Sequence, residues 1–202
     1  MVQFDNQHRQ IKIKIVYYGP AVGGKTTCLQ HIHRVTDPQR RTKLYSLNTA
    51  SDRTLFFDLL SLNLGRIRGY RLALQLYTVP GQVQYDATRR TVLAGADGVV
   101  FVADSQVTQQ EANLESLENL WANMAANGLD RNTVPVVLLY NKRDLDPIQK
   151  VDDMEAALNP DKQPAFPTVA ITGEGVLEAF SAIGERTLAA VADKLGVGTS
   201  PQ

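Results

Sequence analysis

A chain of 202 residues with 44% hydrophobic content suits one α/β domain with a sizeable core and leaves no room for a second. Its 21 Lys and Arg balance 21 Asp and Glu, so no net field draws it to nucleic acid or to an acidic membrane. The single cysteine, Cys28, excludes an intrachain disulfide, and no apolar run approaches the roughly 18 residues of a membrane span.

The first nine residues carry no apolar core of signal-peptide length, which predicts a cytoplasmic protein. Position 2 is Val rather than Gly, and the last five residues hold no cysteine, so no direct lipid anchor is expected. Lys12–Tyr18 then reads as a strand, and from Gly19 to Thr26 the chain spells Gly-x4-Gly-Lys-Thr, with a helical pattern after it at Cys28, Leu29, Ile32 and Val35. Strand, glycine-rich turn and helix in that order form a phosphate-binding loop. Its backbone N–H groups, from Gly19 through Ala21, Val22, Gly23 and Gly24 to Thr27, and the helix dipole make a concave anion site. Lys25 adds a positive charge over β- and γ-phosphates, and Thr26 places a hydroxyl where Mg2+ sits.

A polar, basic segment follows from Thr36 to about Arg53, and a loop of that length in a compact domain is more often functional than idle. Arg40, Arg41 and Lys43 within it read as solvated charges rather than a nucleic-acid contact. Leu55–Leu64 and Tyr70–Tyr77 flank a turn at residues 65–69 and predict a hairpin, with Leu72, Leu74 and Leu76 on one face. Pro80–Arg90 is the second candidate mobile loop. Gly98–Ala103 and Val134–Tyr140 are continuous apolar runs, as in strands buried on both faces of a parallel sheet. Leu114, Leu117, Trp121 and Met124 recur at helical spacing and predict a core-facing helix. A weaker strand is expected at Thr168–Ile171, and a last helix presents Leu177, Phe180, Ile183, Leu188, Val191 and Leu195. Alternating strands and helices predict a three-layer α/β fold.

Asn141-Lys142-Arg143-Asp144 directly follows a buried strand. An ionised Asp144 can accept from both N1–H and the 2-amino group of guanine, whereas adenine offers neither donor. Matching of this kind discriminates by roughly 10^4 to 10^5. Asn141 can contact the base edge and tie loops together, the Lys142 stem can cover the ring, and Ala170 can place an N–H near the guanine O6.

The phosphate loop, the Pro80-Gly81-Gln82 turn after a hairpin, Asn141–Asp144 and the Ala170 loop together resemble the Ras-like small GTPases over nearly the whole chain. Longer blocks, Lys14–Pro20, Asp52–Asp58, Tyr77–Val83, Gly98–Ser105 and Tyr140–Leu145, resemble the narrower MglA-like group of bacterial small GTPases of gliding motility and cell polarity. The resemblance implies a P-loop GTPase fold, mostly parallel, with a sheet of six or slightly more strands and one antiparallel hairpin, over residues 1–195, with 196–202 as a flexible tail. It implies GTP and GDP as ligands with Mg2+ held by Thr26 and Thr54, Thr54 also sensing the γ-phosphate. Gln82 would orient the attacking water, Lys25 would neutralise phosphate charge, Arg53 would act as an arginine supplied in cis, and Gly81 would contact the γ-phosphate. Read from its surroundings alone, Arg53 is a solvated surface charge. The resemblance further implies a Roadblock-type, MglB-like dimer as activating partner, polarity or motility effectors, enrichment at a cell pole through partners, and a hairpin strand that shifts register on activation. A two-residue slip would keep its faces.

Two departures bear on rate. Thr78 stands where most Ras-like proteins carry a magnesium-holding aspartate, a trait shared with the MglA-like group, and a neutral hydroxyl there should hold Mg2+ less tightly unless Asp58 or Asp52 compensates. Ala21 stands where the second glycine of the loop is usual, which predicts slow intrinsic turnover. A nucleotide-locked scaffold and a phosphate-loop kinase or ATPase are the competing readings, the last opposed by Asn141–Asp144.

Overall fold

The computed structural model describes residues 3–5, 8–47, 57–67 and 69–194. Strand β2 (Gln10–Tyr18), which leads into the glycine-rich turn, alternates half-buried and buried residues at first and is buried throughout from Ile15. That change marks where both faces of the sheet become covered. Strand β5 (Tyr70–Thr78) lies parallel to β2 on one side and β6 (Gly98–Asp104) on the other. Beyond β6 come β7 (Val136–Asn141) and β8 (Ala165–Pro167), both parallel. On the opposite flank β4 (Phe57–Ile67) runs antiparallel to β5, and the short β3 (Tyr45–Leu47) antiparallel to β4. The order is β3-β4-β5-β2-β6-β7-β8.

Helices α1 (Lys25–Val35) and α5 (Val176–Lys194) cover one face, α2 (Asp86–Leu93), α3 (Gln110–Ala126) and α4 (Val151–Leu158) the other. Ile13, Ile15 and Tyr17 of β2 meet Cys28, Leu29, Ile32 and Ile183; Val16 and Tyr18 meet Leu93, Leu117, Leu120 and Met154. The period of two along β2 thus divides its side chains between the layers. Cys28 is fully buried, and burial pushes its thiol up to about 12, so it serves as a small core residue.

The three-layer α/β architecture, the hairpin and the parallel strands agree with the sequence reading. Five details differ. An N-terminal strand, β1 (Gln3–Asp5), pairs antiparallel with the start of β2, on an edge that β6 reaches only from Ile15, and β3 occupies part of the expected loop, so the sheet has eight strands among the described residues. The hairpin turn is tighter, because β4 continues to Ile67 past a register irregularity between Asn63 and Arg66, where Gly65 has φ 100°. Residues 168–171 are not a strand: the Asn141 side chain takes the Thr168 hydroxyl and the Ala170 N–H, and Gly173 N–H bonds back to Val169 O. The strand lies just before, at Ala165–Pro167. On α5, Leu177 is exposed while Val176 and Ala179 are buried. Helix α2 takes up part of the second expected loop. Leu195 and the expected tail 196–202 lie outside the described residues. No helix among the described residues is long and apolar enough to cross a membrane.

Candidate functional site

After β5 the chain crosses from one side of β2 to the other, so a crevice opens at the carboxyl ends of β2, β5, β6 and β7. Ligands of open α/β sheets bind at this kind of switch point. The phosphate loop, Thr78–Gln82, Asp104 and Asn141–Asp144 all issue from those ends.

The loop from Gly19 turns into α1 through Gly24, whose φ of 104° is left-handed and whose added Cβ would meet the Asn141 amide nitrogen at 2.1 Å. No side chain caps α1 and no acidic residue lies in its first turn, so its N–H groups and dipole face the crevice unopposed. Lys25 is buried, and its ammonium donates to Gly19 O at 3.0 Å and Pro20 O at 2.6 Å. Burial first, then the charge of Arg89, pushes it down to about 7. A buried ammonium that donates to two carbonyls fits an anionic ligand, whose charge would favour its protonated form. Val22 sits at φ 59° and is 84% exposed, a strained conformation for a β-branched residue at the mouth of the loop.

Asp58 on β4 gathers the hydroxyls. Its Oδ2 accepts from Thr26 Oγ1 at 2.5 Å and Thr78 Oγ1 at 2.9 Å, its Oδ1 from Ser46 Oγ at 2.6 Å, and its N–H donates to Thr78 Oγ1 at 2.8 Å. A pocket of about 230 Å3 bounded by Val22, Lys25, Thr26, Asp58, Thr78 and Gly81 opens beside it. This donor set is oxygen only, with one carboxylate, which suits Mg2+ completed by phosphate oxygens and water. Among the described residues no cluster of three or more His, Cys, Asp or Glu side chains forms. The sequence gives Asp58 only as a possible compensator for Thr78; its sequence signal is an acid on the first strand of a hairpin whose second strand ends in that threonine.

At the end of β7, Asn141 is 1% exposed and makes three bonds. Its Nδ2 donates to Gly23 O at 2.8 Å, and its Oδ1 accepts from Ala170 N–H at 3.0 Å and Thr168 Oγ1 at 3.2 Å. The phosphate loop and the Ala170 loop are therefore joined by one side chain. Lys142, at φ 65°, sends its ammonium to the buried Asp104 carboxylate at 2.6 Å, which holds the stem along the crevice. Asp144 is exposed.

Gly81 lies directly on the phosphate loop, since a Cβ there would meet Ala21 Cα at 2.3 Å and Ala21 N at 2.4 Å. Gln82, in contrast, is exposed, and its Oε1 accepts from Gln84 Nε2 at 2.9 Å. The geometry therefore assembles Lys25, Thr26, Gly81, Asn141, Lys142 and Ala170, and leaves Gln82 at the rim. Arg53, Thr54 and Asp52 lie outside the described residues. Next to the rim, α2 is bonded to α3: Asp86 Oδ1 accepts from Asn119 at 2.6 Å and Asn123 at 2.7 Å, and the buried Arg89 donates to Ser116 Oγ at 2.7 Å and stacks on Tyr18.

The family model described as Ras family matches residues 14–189. The chain is 53% identical over 180 residues, 89% of its length and 92% of the relative's, to the mutual gliding-motility protein MglA of Myxococcus xanthus. It is 34% identical over 116 residues to the Ras-related protein Rab-4B of Homo sapiens, covering 56% of this chain and 52% of that protein. To the GTP-binding protein ypt4 of Schizosaccharomyces pombe it is 27% identical over 182 residues, 89% of this chain and 73% of that one. With a phosphate loop, a base-reading loop and a sheet of this order already in place, the chain belongs to the Ras family, as an MglA-like small GTPase.

Proposed function

We propose that this chain is a GTP-hydrolysing switch of bacterial cell polarity and gliding motility, recruiting effectors in its GTP state. The observation that carries the reading is the grip of Asn141 on both Gly23 and Ala170, which joins a phosphate cradle to a base-reading loop. The motility assignment follows the Myxococcus relative, which is named a mutual gliding-motility protein. Residues 1–195 form the working domain in this reading, with 196–202 as its tail.

Asp144 selects guanine by accepting from two donors that adenine lacks. Gly19, Ala21, Val22, Gly23, Gly24 and Thr27 offer backbone N–H groups to the phosphates, and Lys142 covers the base. Thr26 and Thr54 would hold Mg2+, with Asp58 supplying the carboxylate that Thr78 does not. When bound, Mg2+ neutralises phosphate charge. Lys25 stabilises the β/γ oxygens as the bond from the γ-phosphorus to the bridging oxygen breaks and water adds to phosphorus. For this Gln82 leaves Gln84 and turns inward to orient the water. Arg53, supplied in cis, contributes about 10^3-fold or more. Turnover is slow until a Roadblock-type, MglB-like dimer orders the Gln82 and Arg53 loops. The protein is cytoplasmic and reaches a cell pole through partners.

The test is GTP hydrolysis by the purified chain, alone and with a Roadblock-type dimer, beside Gln82→Leu and Arg53→Ala. Partner-stimulated turnover lost in both variants is the expected result. Tight GTP binding with no turnover in any mixture would instead identify a nucleotide-locked scaffold.

A further inference from the structure

A second pocket, of about 300 Å3, opens beside the base-reading loop between the outer side of α1 and residues 170–171. Its walls are Thr27, Gln30, His31, Arg34, Ala170 and Ile171. Ala170 belongs to both sites: its N–H is held by Asn141, and its methyl lies 3.8 Å from where a Cβ on Gly24 would stand. The pocket therefore adjoins, through Ala170, the loop that Asn141 ties to the end of β7.

Two of the walls are pinned. The His31 ring rests against Gly173, so closely that a Cβ there would come within 1.8 Å of it, and His31 is 8% exposed. Arg34 Nη2 then donates to His31 Nδ1 at 2.9 Å. That bond requires Nδ1 without a proton, and it holds one edge of the guanidinium of Arg34, an exposed residue that lines the pocket. Among the described residues no Phe, Tyr or Trp lines the space. A purine presents two π faces, and the Lys142 stem, tied to Asp104, covers one of them.

We propose that Arg34 covers the other face, its guanidinium plane stacking on the guanine ring, with His31 as the residue that positions it. A guanidinium is planar, weakly hydrated and attracted to a π face, so it can take a place that an aromatic side chain would otherwise fill. The inference rests on the guanine-nucleotide reading above.

The experiment follows release of tritiated GDP from the full chain, preloaded with Mg2+ and GDP and chased with unlabelled GDP. Arg34→Ala is expected to speed release about tenfold, the scale of one desolvated cation–π contact. Arg34→Tyr, which restores a stacking plane without the charge or the bond to His31, is expected to return release to near the parent rate. Arg34→Lys, with charge but no plane, is expected to resemble Ala. Unchanged release in Arg34→Ala, or an Arg34→Tyr variant as fast as Ala, overturns the proposal, the second because it assigns the loss to the helix surface. Far-UV spectra identify any variant that has not folded, and His31→Gln then gives an intermediate rate if the proposal holds and the parent rate if it does not. A parent chain that retains no GDP overturns the nucleotide reading itself, and the two failures are thereby distinguishable.

Discussion

The hydroxyl of Thr26, at the start of α1, donates to the carboxylate of Asp58, near the start of β4, at 2.5 Å. The same carboxylate oxygen takes the Thr78 hydroxyl. A carboxylate therefore stands in the metal region although the position at the end of β5 is neutral. Asp58→Asn is expected to raise the Mg2+ concentration needed for nucleotide retention by about 10- to 100-fold. Thr78→Asp alone would set a second carboxylate within reach of the first, and the repulsion should weaken folding in the absence of Mg2+. The swap Asp58→Asn with Thr78→Asp should recover much of the loss. GDP release measured across a Mg2+ titration in all four proteins gives the coupling directly.

Gly81 leaves no room for a methyl above Ala21. Gly81→Ala must push the loop off the phosphate cradle, and a displacement of that order is expected to cost about 10^2-fold in single-turnover GTP hydrolysis. GDP affinity should hold if Gly81 serves the γ-phosphate, as proposed above. The converse change, Ala21→Gly, should raise the single-turnover rate. No gain there would dismiss crowding by Ala21 as the cause of slow turnover.

Asn141→Ala orphans Gly23 O, the Ala170 N–H and the Thr168 hydroxyl, all near or within the buried interior. At about 1–3 kcal/mol for each buried group left unpaired, a loss of about 3 kcal/mol or more in stability is expected, read from the denaturant midpoint. Nucleotide retention should fail with it.

Asp86 is held below its ordinary value by the side-chain donors of Asn119 and then Asn123. Its contribution to stability is therefore complete above the ordinary carboxylate range. It is lost as pH falls through that range to the lower folded value, because the unfolded chain takes up the proton first. Asp86→Asn should lower Tm at neutral pH and flatten the acid limb of the Tm profile below about pH 4, the difference between the two profiles isolating this group.

Much of this was legible in the residues because phosphate and guanine recognition are written locally. Gly19–Thr26 and Asn141–Asp144 are short and contiguous, and each sits at the end of an apolar run that can only be a buried strand. Asp58 was harder to place, since its role depends on a hairpin register that brings it opposite Thr78, which spacing does not encode. The Ala170 segment read as a strand from its β-branched and apolar residues, but Asn141, far away in sequence, claims its polar groups and turns it into a loop. Helix α2 and strand β1 were missed for another reason: eight and three residues are too few for a period to show. Arg34 was invisible because its partner wall, Gly173 and Ala170, comes from the other end of the chain.

The bonds of Asn141 also bear on how a ligand would leave. One amide ties the two ends of the crevice together, so in the proposed nucleotide site release of the ring and of the diphosphate should be coupled. An exchange catalyst therefore needs leverage at only one end: prising the Ala170 segment outward pulls on Gly23, and loosening the cradle frees the Ala170 N–H. By linkage the same coupling works in reverse, and a diphosphate seated at Lys25 stiffens a loop that it never touches.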